Sequence, residues 1–400
     1  MAALGVFVFV FALLLSIALH ELGHLATAKR FGMKASRYFI GMGPTVWSTR
    51  RGETEYGVKA FPVGGFVKIV GMTEVDEVDD PRDEPRAFWR QPAPQRAVVL
   101  AAGSFMHFVV AFVVLMGTLL AYGEQTRDTT RVYEVSECLD PDVKGSCAGQ
   151  PPAPAKVAGL REGDRIVAFE GRPVADWESF TTMVRAHEAS EAELVVERDG
   201  QRVTLRPVVE RHVREIDEEG TKQEIGQIGV TPGETKRYNP LTVVPRSAAL
   251  IGRFTVDSAR GLWELPGKIP QLFEETTKAS SQPRDAGGSG VVGVLDIGRL
   301  SAQAFESGHV DAVLFMIVGL NVFIGLFNLL PLLPLDGGHL AILGFEQARS
   351  RIARARHRPD PGRVDIRRLM PATLAFIVVM GSLTLMLLYA GIANPIANPF

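Results

Sequence analysis

Four stretches of this chain are almost free of charge, and each is long enough to cross a lipid bilayer as a helix. Met1 to Ala28 holds one acid, Glu21; Ala97 to Gly123, Ala312 to Leu335 and Leu369 to Phe400 hold no Asp, Glu, Lys or Arg. About 20 apolar residues suffice to span the hydrocarbon core. One such run can be the buried helix of a large soluble protein, but four in 400 residues point to a polytopic α-helical membrane protein with four transmembrane helices. The formal net charge of −2 is then an average over compartments and gives no sign of a nucleic-acid partner. The first run lacks the basic leader and small-residue cleavage site of a signal peptide, and is read as a retained span.

Orientation follows from the flanks. Gly344 to Arg368 carries eight arginines against three acids, which predicts a cytoplasmic loop. Lys29 to Arg96 is then cytoplasmic as well, while Glu124 to Asp311 and both termini face the other side. The expected organisation is residues 1–123 with spans one and two and a cytoplasmic loop, 124–235 as an outer domain, 236–311 as outer amphipathic helices and linker, and 312–400 with spans three and four. Cys138 and Cys147, the only cysteines, fall in the outer part. In an oxidising compartment they can form a local disulfide, with two free thiols as the alternative.

The first loop alternates apolar and polar residues and is punctuated by glycine, which predicts a β-hairpin. Within its segment Phe61-Pro62-Val63-Gly64-Gly65-Phe66-Val67 the glycines permit a bulge or a close backbone approach. The acidic run Thr73 to Pro85 reads as a solvated loop. In the outer part, a helix over Asp176 to Ala186 and a hairpin turning at Asp199-Gly200 indicate a small α+β domain. Asn239 to Phe273 reads as amphipathic helix interrupted by Pro266 and Pro270, followed by a Gly/Ser linker.

His20-Glu21-Leu22-Gly23-His24 closes the first span. On a helix its two histidines share one face, so both imidazoles can hold one zinc ion, Zn2+, while Glu21 serves as the base for an activated water. Three polar groups at membrane depth are expensive unless they bind or catalyse. A catalytic zinc commonly has a third protein ligand. Spans one and three run in the same direction, so the end of span three, Asn328 to His339, meets the histidines at similar depth and offers Asp336. His339 reads instead as a helix-face or interfacial residue. Pro331, Pro334 and Gly337-Gly338 predict a broken helix, tolerable where it lines a protein cavity.

With these residues in view, the chain resembles the site-2 proteases, intramembrane zinc metalloproteases, and most of all the single-PDZ actinobacterial members. The resemblance rests on the His20 to His24 motif, on Phe61 to Val67, on Leu335-Asp336-Gly337, and on Ala158 to Ile166 (A-G-L-R-E-G-D-R-I), which looks like part of an extracytoplasmic PDZ-like domain. It implies His20, His24 and Asp336 as metal ligands, Glu21 as catalytic base, and Asn328 as a donor to substrate backbone or the tetrahedral intermediate. It also implies that Gly64, Gly65 and Phe66 belong to a hairpin receiving unwound substrate as an added strand. The activity implied is cleavage of single-span membrane proteins such as anti-sigma factors in a bacterial inner membrane, after an upstream site-1 protease has shortened them. Two departures stand out: Pro334 is displaced relative to the family pattern, and Ser104 and His107 replace a proline and an asparagine. His107 is read as a structural hydrogen-bonding residue or a modulator of the site. Competing readings are an intramembrane metal-ion transporter, since His, Glu and Asp also mark ion paths, and a non-proteolytic membrane chaperone.

Overall fold

A computed structural model describes residues 2–72, 78, 80–126, 129–139, 147–215, 222–277, 292–393 and 395–396. The chain opens with helix α1 (Ala2–Arg30), a long hairpin of β1 (Ala35–Arg51) and β2 (Thr54–Ile69), and helix α2 (Ala93–Ala121). Short strands β3 (Glu124–Thr126) and β4 (Val132–Val135) lead to the turn of helix α3 (Pro154–Val157). Strands β5 (Arg165–Phe169) and β6 (Arg172–Pro173), helix α4 (Trp177–Ala186), β7 (Leu194–Arg198) and β8 (Gln201–Leu205) follow. Next come β9 (Glu210–Glu215), β10 (Lys222–Gln227), β11 (Val230–Pro232) and β12 (Glu234–Lys236). The remainder is helical: α5 (Pro240–Thr277), α6 (Val294–Glu306), α7 (Val310–Asn328), α8 (Asp336–Ala355) and α9 (Met370–Ala393).

These elements form two compact units. Among the described residues, four helices of the first are long and apolar enough to cross a membrane: Ala2–Arg30, Ala93–Ala121, Val310–Asn328 and Ile366–Ala393. Their packing has the character of membrane helices, in which small residues let backbones approach. A side chain at Gly5 would collide with the Ser301 carbonyl of α6, and one at Gly23 with the Ala102 carbonyl of α2. The opposite face of α1 leaves Phe7, Phe11, Leu15 and Leu22 exposed, as suits a lipid solvent.

The hairpin is more folded than two strands. Arg37, Tyr38, Phe39 and Ile40 face Lys68, Val67, Phe66 and Gly65 on one side and Glu55, Tyr56, Gly57 and Val58 on the other. The segment Gly65 to Lys68 therefore lies at a sheet edge, and Tyr38 ties the sheet to α1 by donating its hydroxyl to the Ala18 carbonyl at 2.7 Å.

The second unit holds a four-stranded sheet in the order β6-β5-β7-β8, with Ile166, Phe169, Phe180, Leu194 and Val196 in its core. Asp199 and Gly200 have φ of +52° and +78°, the left-handed pair that a two-residue hairpin requires. Asp176 caps α4 through the Ser179 amide at 2.8 Å. Within Ala158 to Ile166, buried Asp164 accepts both Nε and Nη2 of Arg198 at 2.7 Å, and the same guanidinium donates to the Gly159 carbonyl. Cys138 and Cys147 are joined by a disulfide.

Three features differ from the sequence reading. The third span ends at Asn328, not near Leu335, and Leu329 to Leu335 forms a turn. Pro331 and Pro334 bring no N–H to that break, so fewer donors need partners there, and Leu332 and Leu335 bond within the turn at 2.7 and 2.9 Å. Helix α5 runs on through Pro245, Pro266 and Pro270; much of its face is exposed, so the carbonyls that proline leaves without donors can be served from outside. Finally, Val294–Glu306 is no connector: α6 packs on α1 in the first unit. The Gly/Ser linker and most of the acidic run Thr73 to Asp79 lie outside the described residues.

Candidate metal centre

The i, i+4 spacing on α1 stacks His20 and His24 on one buried face, with their Nε2 atoms 3.2 Å apart. Asp336, the first residue of α8, brings its Oδ2 to 3.3 Å from each of them. These three atoms form an almost equilateral triangle. A tetrahedral metal with ligand bonds of about 2.0–2.1 Å has ligand-to-ligand edges of about 3.3–3.4 Å, so the triangle fits one zinc-sized ion. Proton placement agrees with that fit. His24 Nδ1 lies 2.7 Å from the Val99 carbonyl, which can only accept, so Nδ1 carries the hydrogen and Nε2 presents a lone pair. Asp336 Oδ2 is buried with no hydrogen-bond partner among the described residues. Lone pairs converging at this distance suit a cation held between them.

Each wall of the site is shaped by a residue that lacks a side chain. A Cβ at Gly103 of α2 would lie 2.7 Å from His20 Nε2 and closer still to His24 Nε2. A Cβ at Gly65 of β2 would lie 3.0 Å from Glu21 Cγ. The free edge of the hairpin sheet therefore runs directly beside the one acid of α1. Gly64, at φ +74°, bends the strand immediately before this contact. Phe66 faces the other way and stacks on Phe39 with centroids 5.6 Å apart. Gly337 and Gly338 lie against the backbone of Leu329 to Leu333, which allows α8 to start directly under the turn and carry Asp336 to the histidines.

Behind the triangle lies a polar network, of which the sequence reading singles out His107 as a structural hydrogen-bonding residue but not its partners. Asn321 of α7 accepts the Ser16 hydroxyl at 2.6 Å and His107 Nδ1 at 3.0 Å through Oδ1, while its Nδ2 donates to the Ile317 carbonyl. The ring of His107 packs on that of His20 at 5.0 Å. Three buried polar side chains from three helices thus satisfy one another one layer behind the site. The member missed was Asn321, and the signal for it was an amide within an apolar span, where polar groups are costly without partners. Asn328 ends α7, half-buried, and belongs neither to this network nor to the ligand triangle. His339 lies one turn beyond Asp336 and is outside the triangle too.

The model for peptidase family M50 matches residues 8–359. Among curated proteins, the chain is 34% identical to the zinc metalloprotease Rip1 of Mycolicibacterium smegmatis over 99% of both chains. It is 36% identical to the zinc metalloproteases Rip1 of Mycobacterium tuberculosis and of Mycobacterium bovis, over 98% of each pair.

Proposed function

This chain belongs to peptidase family M50, and on that footing we propose that it is an intramembrane zinc endopeptidase in which His20, His24 and Asp336 hold the metal and Glu21 is the catalytic base. The observation that carries this reading is the ligand triangle with edges of 3.2, 3.3 and 3.3 Å, with Glu21 beside it on the same helix. A zinc ion held there supplies Lewis acidity to the scissile carbonyl and to the attacking water. Glu21 takes a proton from that water and passes it to the leaving amine. Its place beside Gly65 sets the carboxylate against the sheet edge that would receive the substrate.

A transmembrane helix has its carbonyls already hydrogen-bonded, so peptide hydrolysis requires a locally extended chain whose backbone groups find new partners. The Gly64-Gly65-Phe66 segment offers such partners by strand addition, and Gly65 keeps side-chain atoms out of the gap beside Glu21. Asn328 is assigned to the substrate carbonyl as a side-chain amide donor. The residues from 124 to 235 are assigned as an extracytoplasmic PDZ-like domain, on the motif at Ala158 to Ile166 and the α4 and β-sheet arrangement. The eight arginines of Gly344 to Arg368 favour a cytoplasmic loop and extracytoplasmic termini, and the mycobacterial relatives favour a bacterial cell membrane. Substrates are then single-span membrane proteins such as anti-sigma factors, presented after an upstream protease has trimmed them.

The test is reconstitution with a tagged single-span substrate. Glu21→Gln is expected to abolish cleavage while retaining zinc, and Asp336→Ala to lose both. Cleavage by Glu21→Gln at the rate of the intact protein would refute the assignment.

A further inference from the structure

The N-terminal ends of two spans, Ala93–Ala121 and Ile366–Ala393, frame a cavity of about 260 Å³ beside α8. Arg96 lines it with a side chain only 12% exposed. Among the described residues its Nε has no hydrogen-bond partner. The carboxylate it faces, Glu346, stands 3.9 Å away, close enough for an ion pair but beyond hydrogen-bond range. Glu346 itself accepts the Val364 amide at 2.9 Å. A guanidinium keeps its proton and offers five N–H donors, so one held at this depth calls for oxygen acceptors. A second guanidinium, Arg363, lines the same cavity, stacks on Trp89 at 4.8 Å and repels Arg96. Asp365 also lines it, but its carboxylate is engaged by the Arg367 amide and lies 3.7 Å from Arg368.

The ligand indicated is an anion, and the adjoining space says of what kind. Ile342 and Val364 also line a second cavity of about 350 Å³, whose other walls, apart from Thr373, are apolar residues of the Leu329 to Leu335 turn, α8 and the start of the last span, Phe345 and Phe376 among them. Two guanidiniums at the mouth of two spans, in a pocket whose carboxylates Glu346 and Asp365 are engaged by backbone amides and which shares two walls with an apolar cleft, match a molecule with an anionic head and a hydrocarbon tail. We propose that the two cavities form one site for an anionic phospholipid, with its phosphate against Arg96 and Arg363 and an acyl chain between α8 and α9. The site is independent of the protease reading, although α8, the helix it would brace, begins with Asp336.

The proposal is tested by native mass spectrometry of the full-length protein extracted from nanodiscs of equal phosphatidylglycerol and phosphatidylcholine. The intact protein should retain phosphatidylglycerol in preference. Arg363→Gln, a change at an exposed side chain, should cut that retention about tenfold, as fits loss of a charge-assisted phosphate contact; Arg96→Gln should cut it further. Ala372→Trp, which fills the apolar cleft, should reduce retention without changing charge. Arg351→Gln, an equal change in charge on the exposed face of α8, should leave retention as it was. Should Arg96→Gln fail to fold, Arg363→Gln and Ala372→Trp still decide. Equal retention of the two lipids, or equal effects of Arg363→Gln and Arg351→Gln, would overturn the proposal. So would displacement by millimolar glycerol phosphate together with indifference to Ala372→Trp, which would mark a soluble-anion site instead.

Discussion

Gly103 provides the sharpest test of how the metal centre is built. An alanine there would set its Cβ 2.7 Å from His20 Nε2 and closer to His24 Nε2. Comfortable contact begins near 3.5 Å, so at least about 0.8 Å must be recovered by moving α2 or the rings. Moving α2 outward also carries away Val99, on the same helix, and stretches its 2.7 Å bond from His24 Nδ1 toward about 3.5 Å, the end of hydrogen-bond range. Moving the rings opens a ligand triangle whose bonds tolerate only about 0.2 Å. Either way the expected loss in zinc affinity is at least about 100-fold, the upper end for residues that orient ligands, or about 2.7 kcal/mol. Helix propensity works in the opposite direction, because alanine favours a helix over glycine by about 0.5–1 kcal/mol. Gly117→Ala is the control, since a Cβ at that position of the same helix meets nothing within 4 Å. The assay is competition for zinc against a chelator of known affinity, with helix content followed by circular dichroism. Gly103→Ala binding zinc within threefold of the Gly117→Ala protein would refute the packing account of the site.

Other consequences can be measured in the same preparations. Gly65→Val should suppress cleavage but leave zinc bound, because the added atoms meet Glu21 and not the ligands; loss of zinc would count against this division of labour. Asn321→Leu strands the Ser16 hydroxyl and His107 Nδ1, and should destabilise the first unit by about 1–2 kcal/mol, read as a lower midpoint of thermal unfolding that Asn321→Gln partly restores. Outside the membrane, the Ser179 amide and hydroxyl hold the Asp176 carboxyl below the usual carboxylate range. Its folded value is thus depressed, so the cap's contribution is complete above the unfolded-chain value of about 3.9 and disappears as pH falls through the lower folded value. Hydrogen-exchange protection across Trp177–Ala186 should drop in that acid window, and Asp176→Asn should remove the drop. Cys138 and Cys147 should resist alkylation until reductant is added, whereas free thiols would react at once.

Much of this molecule was legible without coordinates, and the reason differs from feature to feature. A bilayer demands a length and an absence of charge, both one-dimensional properties, so the four spans appear directly in the residue string. The histidines could be paired because helical spacing alone places His20 and His24 on one face, and Asp336 could be joined to them because two parallel spans end at one depth. The Asp199-Gly200 turn and the Asp176 cap were likewise local, since a left-handed pair and a side chain three residues from an orphan amide need no distant partner.

What the sequence left open depends on contacts between residues far apart in it. The prolines of α5 looked like interruptions because their cost is local, while the surroundings that tolerate them are not. Asn321 drew no notice beside Asn328, yet it is Asn321 whose amide meets Ser16 and His107, from helices 305 and 214 residues away. Gly103 was one small residue in an apolar span until α2 packed its bare Cα under both histidines, and Gly65 one of a glycine pair until the strand edge met Glu21. Arg96 was a charge at a span boundary until α8 and the segment Arg363 to Ile366 closed around it and left its Nε without an acceptor among the described residues. Composition and period determined which helices cross the membrane and which residue types could hold a metal. Close packing, a three-dimensional condition, decided which glycines make room for that metal and which polar groups lie behind it.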